Sequence, residues 1–181
     1  YSSLKPSIRY HRDDCIDLPE CTYVDHVDEM SPKQQLIYKQ LKEDFITELQ
    51  AGLVTAVNEG VQLIKLLQVA CGAVYHGDGQ ISEVYCSSKF KELEDIIEEA
   101  GHKLIIFIPF KSLVPLISKW FSTRTKLPTY GVINGGVGKT ARDNIFHEFQ
   151  NGDLEIILAH PAAMAHGLTL TKTNTIVWWG P

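Results

Sequence analysis

Residues 88–181 predict an open α/β domain built on a parallel sheet, with residues 1–87 as a mostly helical lead-in. Three observations lead there. Leu104–Ile108 is a continuous apolar run bounded by Lys103 and Pro109, the pattern of a strand covered on both faces. Three more short strand-like runs follow, at Tyr130–Ile133, Glu155–Ala159 and Thr175–Trp179. Single helical segments separate the first three strands, and such alternation implies right-handed crossovers and a parallel sheet.

The elements follow in order. Residues 1–30 read as irregular or extended, and Tyr23–Val27 alternates weakly, as one edge strand would. Ser31-Pro32-Lys33-Gln34 is a helix start: Ser31 can cap, Pro32 suits the first helical position, and Gln34 can reach back in a capping box. Ile37, Leu41, Phe45 and Leu49 continue that helix at the right spacing. A second helix, from about Val61 to Ala70, is apolar nearly all round and is expected to be buried. Gly77-Asp78-Gly79 is a turn. From Ser88 on, Phe90, Leu93, Ile97 and Ala100 share one helix face, Glu92, Asp95, Glu98 and Glu99 form the solvated one, and Gly101 ends the helix. A helix from Ser112 to Phe121 tolerates Pro115 in its first turn. Another opens at Thr140, turns Ile145, Phe146 and Phe149 inward, and stops at Asn151-Gly152. A loop, His160 to Gly167, leads to the last strand.

A chain of 181 residues can bury one sizeable core. No apolar run approaches the ~18 residues of a membrane span, and the N-terminus lacks a signal-peptide pattern. It also lacks an initiator Met, so the chain reads as a fragment. Cys15, Cys21, Cys71 and Cys86 form no C-x-x-C pair and no zinc-ligand spacing, which suggests free thiols in a reducing compartment and no metal. The net charge is −5 but unevenly spread. Residues 1–102 hold 18 acids and 9 bases, whereas residues 103–142 hold seven bases and no acid. Those seven, Lys103, Lys111, Lys119, Arg124, Lys126, Lys139 and Arg142, either face phosphates or form a solvated surface.

Catalytic signatures fail their templates. Gly135-Gly136-Val137-Gly138-Lys139-Thr140 lacks the first glycine of a phosphate loop, since Ile133 stands there, and no carboxylate ends the strand at Ala159. No G-x-S-x-G or H-E-x-x-H occurs. The loop His160–Gly167 lies where open α/β sheets bind ligands, beyond a strand's carboxyl end. Its two histidines lack a third ligand and read as a shape and backbone feature.

Nearly the whole chain resembles a known pattern. Arg9–Asp14 with Asp17-Leu18-Pro19, the helix Met30–Tyr38, and Leu66–Gly72 resemble, in order, segments of the C-terminal half of Swi/Snf-type proteins of helicase superfamily two. Lys103–Phe107 resembles that family's motif IV, and Ile133–Gly136 with Arg142 and Phe149 resembles the segment after it. Leu158–Leu170 resembles motif V, ahead of the strand at Asn174–Val177. Motif V departs from the usual pattern at His160-Pro161, Met164-Ala165 and Gly167-Leu168-Thr169-Leu170, where Thr169 replaces Asn; in this it looks like compact bacterial or phage members.

The resemblance implies a RecA-like open parallel sheet flanked by helices, the P-loop NTPase type of fold, as the second lobe of a nucleic-acid-dependent ATPase, a helicase or DNA translocase. It implies double-stranded DNA or another nucleic acid as partner, together with an N-terminal RecA-like lobe outside this chain. That first lobe would hold most of the ATP and Mg. The arginine motif VI is expected one strand beyond Pro181, so this chain alone should not hydrolyse ATP. Contacts to the nucleic-acid backbone are expected from Lys111, Ser112, Gly135, Arg142, His160 and Pro161. Coupling to the ATP cleft is expected from Gly167, Leu168 and Thr169, with no catalytic residue in the chain itself. An intracellular, cytoplasmic setting in a bacterial or phage-infected cell is favoured over a nuclear one. The alternative is a non-enzymatic α/β module that docks a protein partner through its acidic helices.

Overall fold

A computed structural model describes residues 20–52, 56–76, 80–84, 86–101, 103–124, 128–164 and 169–180. Helix α1 spans Pro32–Gln50 and begins with the expected capping box. The Ser31 hydroxyl accepts the Gln34 N–H at 3.3 Å, and Gln34 Oε1 accepts the Ser31 N–H at 3.0 Å. Gln34 is itself buried and donates from Nε2 to the Val69 carbonyl at 3.1 Å, tying α1 to its neighbour α2, Ala56–Cys71. Helix α2 is not buried all round as expected. Leu66 and Val69 face inward, but Leu63, Ile64 and Leu67 are 54%, 47% and 37% exposed. Helix α2 packs mainly on α1 and the first strand of a short strand pair, with its last residue Cys71 entering the main core, and its outer stripe is left uncovered among the described residues.

That strand pair is β1 (Ala73–Tyr75) and β2 (Ile81–Glu83), antiparallel across the turn foreseen at 77–79, which lies outside the described residues. Tyr23–Val27 is no strand. It pairs in no ladder among the described residues, and Tyr23 and Val27 point outward at 88% and 93% exposure. The segment is instead held against helix α3 (Ser87–Ala100) by His26 on Glu92 and by the Ser88 hydroxyl on the Glu29 carbonyl. Helix α3 stops where Gly101 takes a left-handed φ of 58°, as its position predicts.

Four parallel strands form the main sheet: β3 (Leu104–Phe107), β4 (Tyr130–Ile133), β5 (Ile156–Ala159) and β6 (Thr175–Trp178). Their spatial order is β4-β5-β3-β6. Helices α4 (Leu113–Ser122) and α5 (Lys139–Asn151) make the crossovers. Alternate residues of β3, β4 and β5 enter two cores. Leu104, Ile106, Ile156 and Leu158 pack with Phe90, Leu93, Ile117 and Phe121 of α3 and α4. Ile105, Ile157, Ala159 and Ile133 pack with Phe149 of α5. The central strands β3 and β5 are covered on both faces, which is why they read as unbroken apolar runs. Edge strand β6 alternates instead, with Ile176 and Trp178 exposed.

Candidate nucleic-acid interface

Because all four strands run the same way, their carboxyl ends share one edge of the sheet. The loops that leave this edge are 108–112 after β3, 134–138 after β4 and 160–164 after β5. This edge collects Lys111, Ser112, Gly135, Arg142, His160 and Pro161 from stretches far apart in sequence.

Their surroundings differ. Lys111 is exposed, and so is Lys139 at the first position of α5. Neither side-chain ammonium bonds another described residue. Gly135 is exposed, and a Cβ built on it would meet nothing within 4 Å. Ser112 is 0% exposed, and its hydroxyl has no partner. It precedes α4 in αR geometry and does not cap it, and its side chain lies within the core. The His160 N–H is taken by the Ile133 carbonyl at 2.9 Å, extending the β5–β4 ladder by one residue. Pro161 opens a 3-10 turn, Pro161–Ala163, where a plain loop was expected. Arg142 is partly buried; its Nη2 donates to the Val137 carbonyl at 3.3 Å, and its Nε is buried without a partner.

The basic stretch divides by geometry. Helix α4 runs back from the carboxyl edge to the opposite one and carries its bases away. Lys119 bonds Glu83 at 2.7 Å. Arg124 pairs with Glu94 and lies over the Trp120 ring, 4.9 Å from its centroid. Lys103, at the start of β3, donates to the carbonyls of Phe149 and Gly152 at 2.8 and 2.5 Å, satisfying the C-terminal end of α5. Lys126 lies outside the described residues. Among the described residues, the uncommitted positive charge on this stretch therefore sits at the carboxyl edge, on Lys111 and Lys139, with Arg142 behind them.

Gly167 and Leu168 lie outside the described residues, whereas Thr169 is exposed. Sequence reasoning missed Gln150, which reads as a solvated position near the end of α5. Its Nε2 donates to the Thr169 carbonyl and the Thr171 hydroxyl, and its Oε1 accepts the Lys172 N–H at 3.1 Å. It thus fixes the segment that follows the motif V loop. Asn134 was also missed: its Oδ1 accepts the Gly136 N–H at 2.9 Å and shapes the glycine-rich turn. An Asn two residues before a glycine is the signal that marks such a turn.

A nucleotide–metal site needs phosphate-cradling amides and a carboxylate for Mg. Strand β5 ends on buried Ala159, and no group of three His, Cys, Asp or Glu that would hold a metal occurs among the described residues. The described residues do not fit ATP·Mg as its sole holder. None of the described helices is long and apolar enough to cross a membrane.

Comparison with known proteins agrees with this architecture. Residues 88–181 match the family model "Helicase conserved C-terminal domain". The chain is similar to the Sulfolobus solfataricus SWI2/SNF2 ATPase C-terminal domain, with 26% identity, a TM-score of 0.63, and coverage of 83% of this chain and 68% of that one. It is similar to the SWI2/SNF2 ATPase core of the same organism in complex with dsDNA, with 25% identity, a TM-score of 0.65, and coverage of 83% and 33%. It also resembles protein p41 of Acyrthosiphon pisum secondary endosymbiont phage 1, 26% identical over 157 residues, 83% of this chain and 32% of p41. The chain thus spans about a third of the length of p41 and of the ATPase core. With its parallel sheet, its crossover helices and these matches together, the chain belongs to the helicase conserved C-terminal domain family, as a RecA-like second lobe of the Swi/Snf type.

Proposed function

We propose that the chain is the nucleic-acid-gripping second lobe of a DNA-dependent ATPase that translocates along or unwinds a duplex. The observation that carries this reading is the segregation of charge: Lys111 and Lys139 stand uncommitted at the carboxyl edge of the sheet, while Lys103, Lys119 and Arg124 are engaged at the other. Uncommitted bases beside exposed backbone suit a phosphate chain and carry no sequence preference. The likeness to an ATPase core bound to dsDNA supports duplex DNA as the partner.

In this reading a first lobe holds ATP and Mg, and the two lobes close on the nucleotide and shift their grip. Thr169, whose carbonyl accepts from Gln150 Nε2, ends the stretch Gly167-Leu168-Thr169 in sequence, and that tie suits the stretch to couple grip to closure. A cytoplasmic setting in a bacterial or phage-infected cell fits the phage relative.

The test is DNA-stimulated phosphate release by the full-length protein. Lys111→Ala and Lys139→Ala should each weaken duplex binding whatever its sequence. Each should also lower the slope of log affinity against log salt by about 0.9, one phosphate contact apiece. The 181-residue chain by itself should release no phosphate. Unchanged slopes in both variants, or hydrolysis by the isolated chain, would overturn the reading.

A further inference from the structure

Residues 134–138 form an open, glycine-rich turn between β4 and α5. Gly135, Gly136 and Gly138 are all exposed, and a Cβ on Gly135 or Gly138 would meet nothing within 4 Å. Nothing packs on the outer side of this turn among the described residues. A glycine-rich segment so placed loses much conformational freedom if it orders only on binding. Yet the turn is held from within. Asn134 Oδ1 accepts the Gly136 N–H at 2.9 Å, and the Asn134 carbonyl accepts the Val137 N–H at 3.1 Å. From the first turn of α5, Arg142 reaches back and donates from Nη2 to the Val137 carbonyl at 3.3 Å. The neighbouring Nε is out of solvent and without a partner. The Nε–Nη2 edge is one of the two forks with which a guanidinium clamps a phosphate. Here that fork faces the protein.

We propose that Arg142 and Asn134 are positioning residues: together they set the 134–138 turn, and the turn with Lys139, not the guanidinium, meets the nucleic-acid backbone. This rests on the nucleic-acid reading of the carboxyl edge. It reassigns Arg142 from a direct phosphate contact, as sequence order suggests, to a brace behind the contact. Setting the turn in advance removes part of the ordering cost of binding.

The two roles separate by salt dependence. A lost phosphate contact changes the slope of log affinity against log salt, by about 0.9 per phosphate. A lost brace lowers affinity at every salt concentration and leaves the slope alone. The experiment titrates the full-length protein with a fluorescent duplex from 50 to 300 mM salt. Arg142→Ala and Asn134→Ala should each weaken binding about five- to tenfold, the worth of one or two hydrogen bonds, with the wild-type slope. The double variant should be no weaker than the worse single variant within about twofold, because both residues act through one turn. Amide hydrogen exchange should rise in the peptide covering 134–139 and stay unchanged over β5, which separates a loosened turn from a failed fold. A slope lowered in Arg142→Ala as in Lys111→Ala overturns the proposal, as do additive losses or unchanged exchange over 134–139. Unchanged slopes in Lys111→Ala and Lys139→Ala overturn the nucleic-acid reading itself, and this inference with it.

Discussion

The three described cysteines illustrate how one residue type meets different fates. Cys21 is exposed, whereas Cys71 and Cys86 are buried free thiols in the core beneath α3 and α4. Backbone approaches them closely: a Cβ on Gly72, at φ 101°, would fall 2.5 Å from Cys86 Sγ, and one on Gly180 would fall 2.7 Å from Cys71 Sγ. Burial pushes the Cys86 thiol up from 9.0 to about 12, against a smaller opposing pull from Lys89. Burial raises Cys71 as well. A raised thiol keeps its proton in the folded protein after the unfolded chain has lost it. Its contribution to stability is therefore fully present below pH 9 and lost as pH rises toward about 12. We expect a thiol reagent at pH 8 to modify Cys21 in the folded protein and to reach Cys71 and Cys86 only on unfolding. Thiol titration in native and denaturing buffer checks this, and rapid native labelling of Cys86 would contradict it. Which of the described cysteines are buried was not legible in the sequence, because burial depends on the glycines and helices folded over them.

Helix α4 carries the main lesson at the scale of elements. Its apolar spacing and the tolerated Pro115 were legible, and its described bounds, Leu113–Ser122, differ from the expected ones by one residue. Ser112 has the residue type of a cap but not the geometry, and its hydroxyl is sealed in without a partner. An unsatisfied buried hydroxyl costs about 1–3 kcal/mol. We therefore expect Ser112→Ala to be neutral or to stabilise by about 1 kcal/mol, a rise in Tm of roughly 2–4 °C for a domain of this size. DNA affinity and its salt slope should not change. Differential scanning calorimetry with the duplex titration checks both; a loss of affinity in Ser112→Ala would return that side chain to the interface. Helix α2 taught the opposite lesson. An all-round apolar sequence suggested full burial, yet a two-helix hairpin covers only one side of it.

Across the whole molecule, residues on both sides of position 87 contribute to one core. Cys71, Ala73 and Cys86 share one core with Phe90, Leu104 and Trp179, and Trp179 Nε1 donates to the Cys71 carbonyl at 2.9 Å. A chain limited to residues 88–181 should thus lose about 5 kcal/mol of apolar burial relative to one beginning at 56. Urea unfolding of both should show a much lower midpoint for the shorter; equal midpoints would place the boundary at 87 after all. The sequence by itself determined the order and type of the main-sheet elements, the two-sided burial of β3, and the family, because these rest on local periodicity and short motifs. Only the tertiary structure decided which charges act together. The sheet order β4-β5-β3-β6 brings Lys111 and Lys139 to one edge, while α4, running the other way, carries Lys119 and Arg124 to the opposite one. Seven bases in a row of forty residues look like one patch in sequence; a crossover helix that reverses direction splits them. Ser112 and Arg142 turned inward for a related reason: the core and the turn beside them supply an environment that no nearby residue in sequence announces.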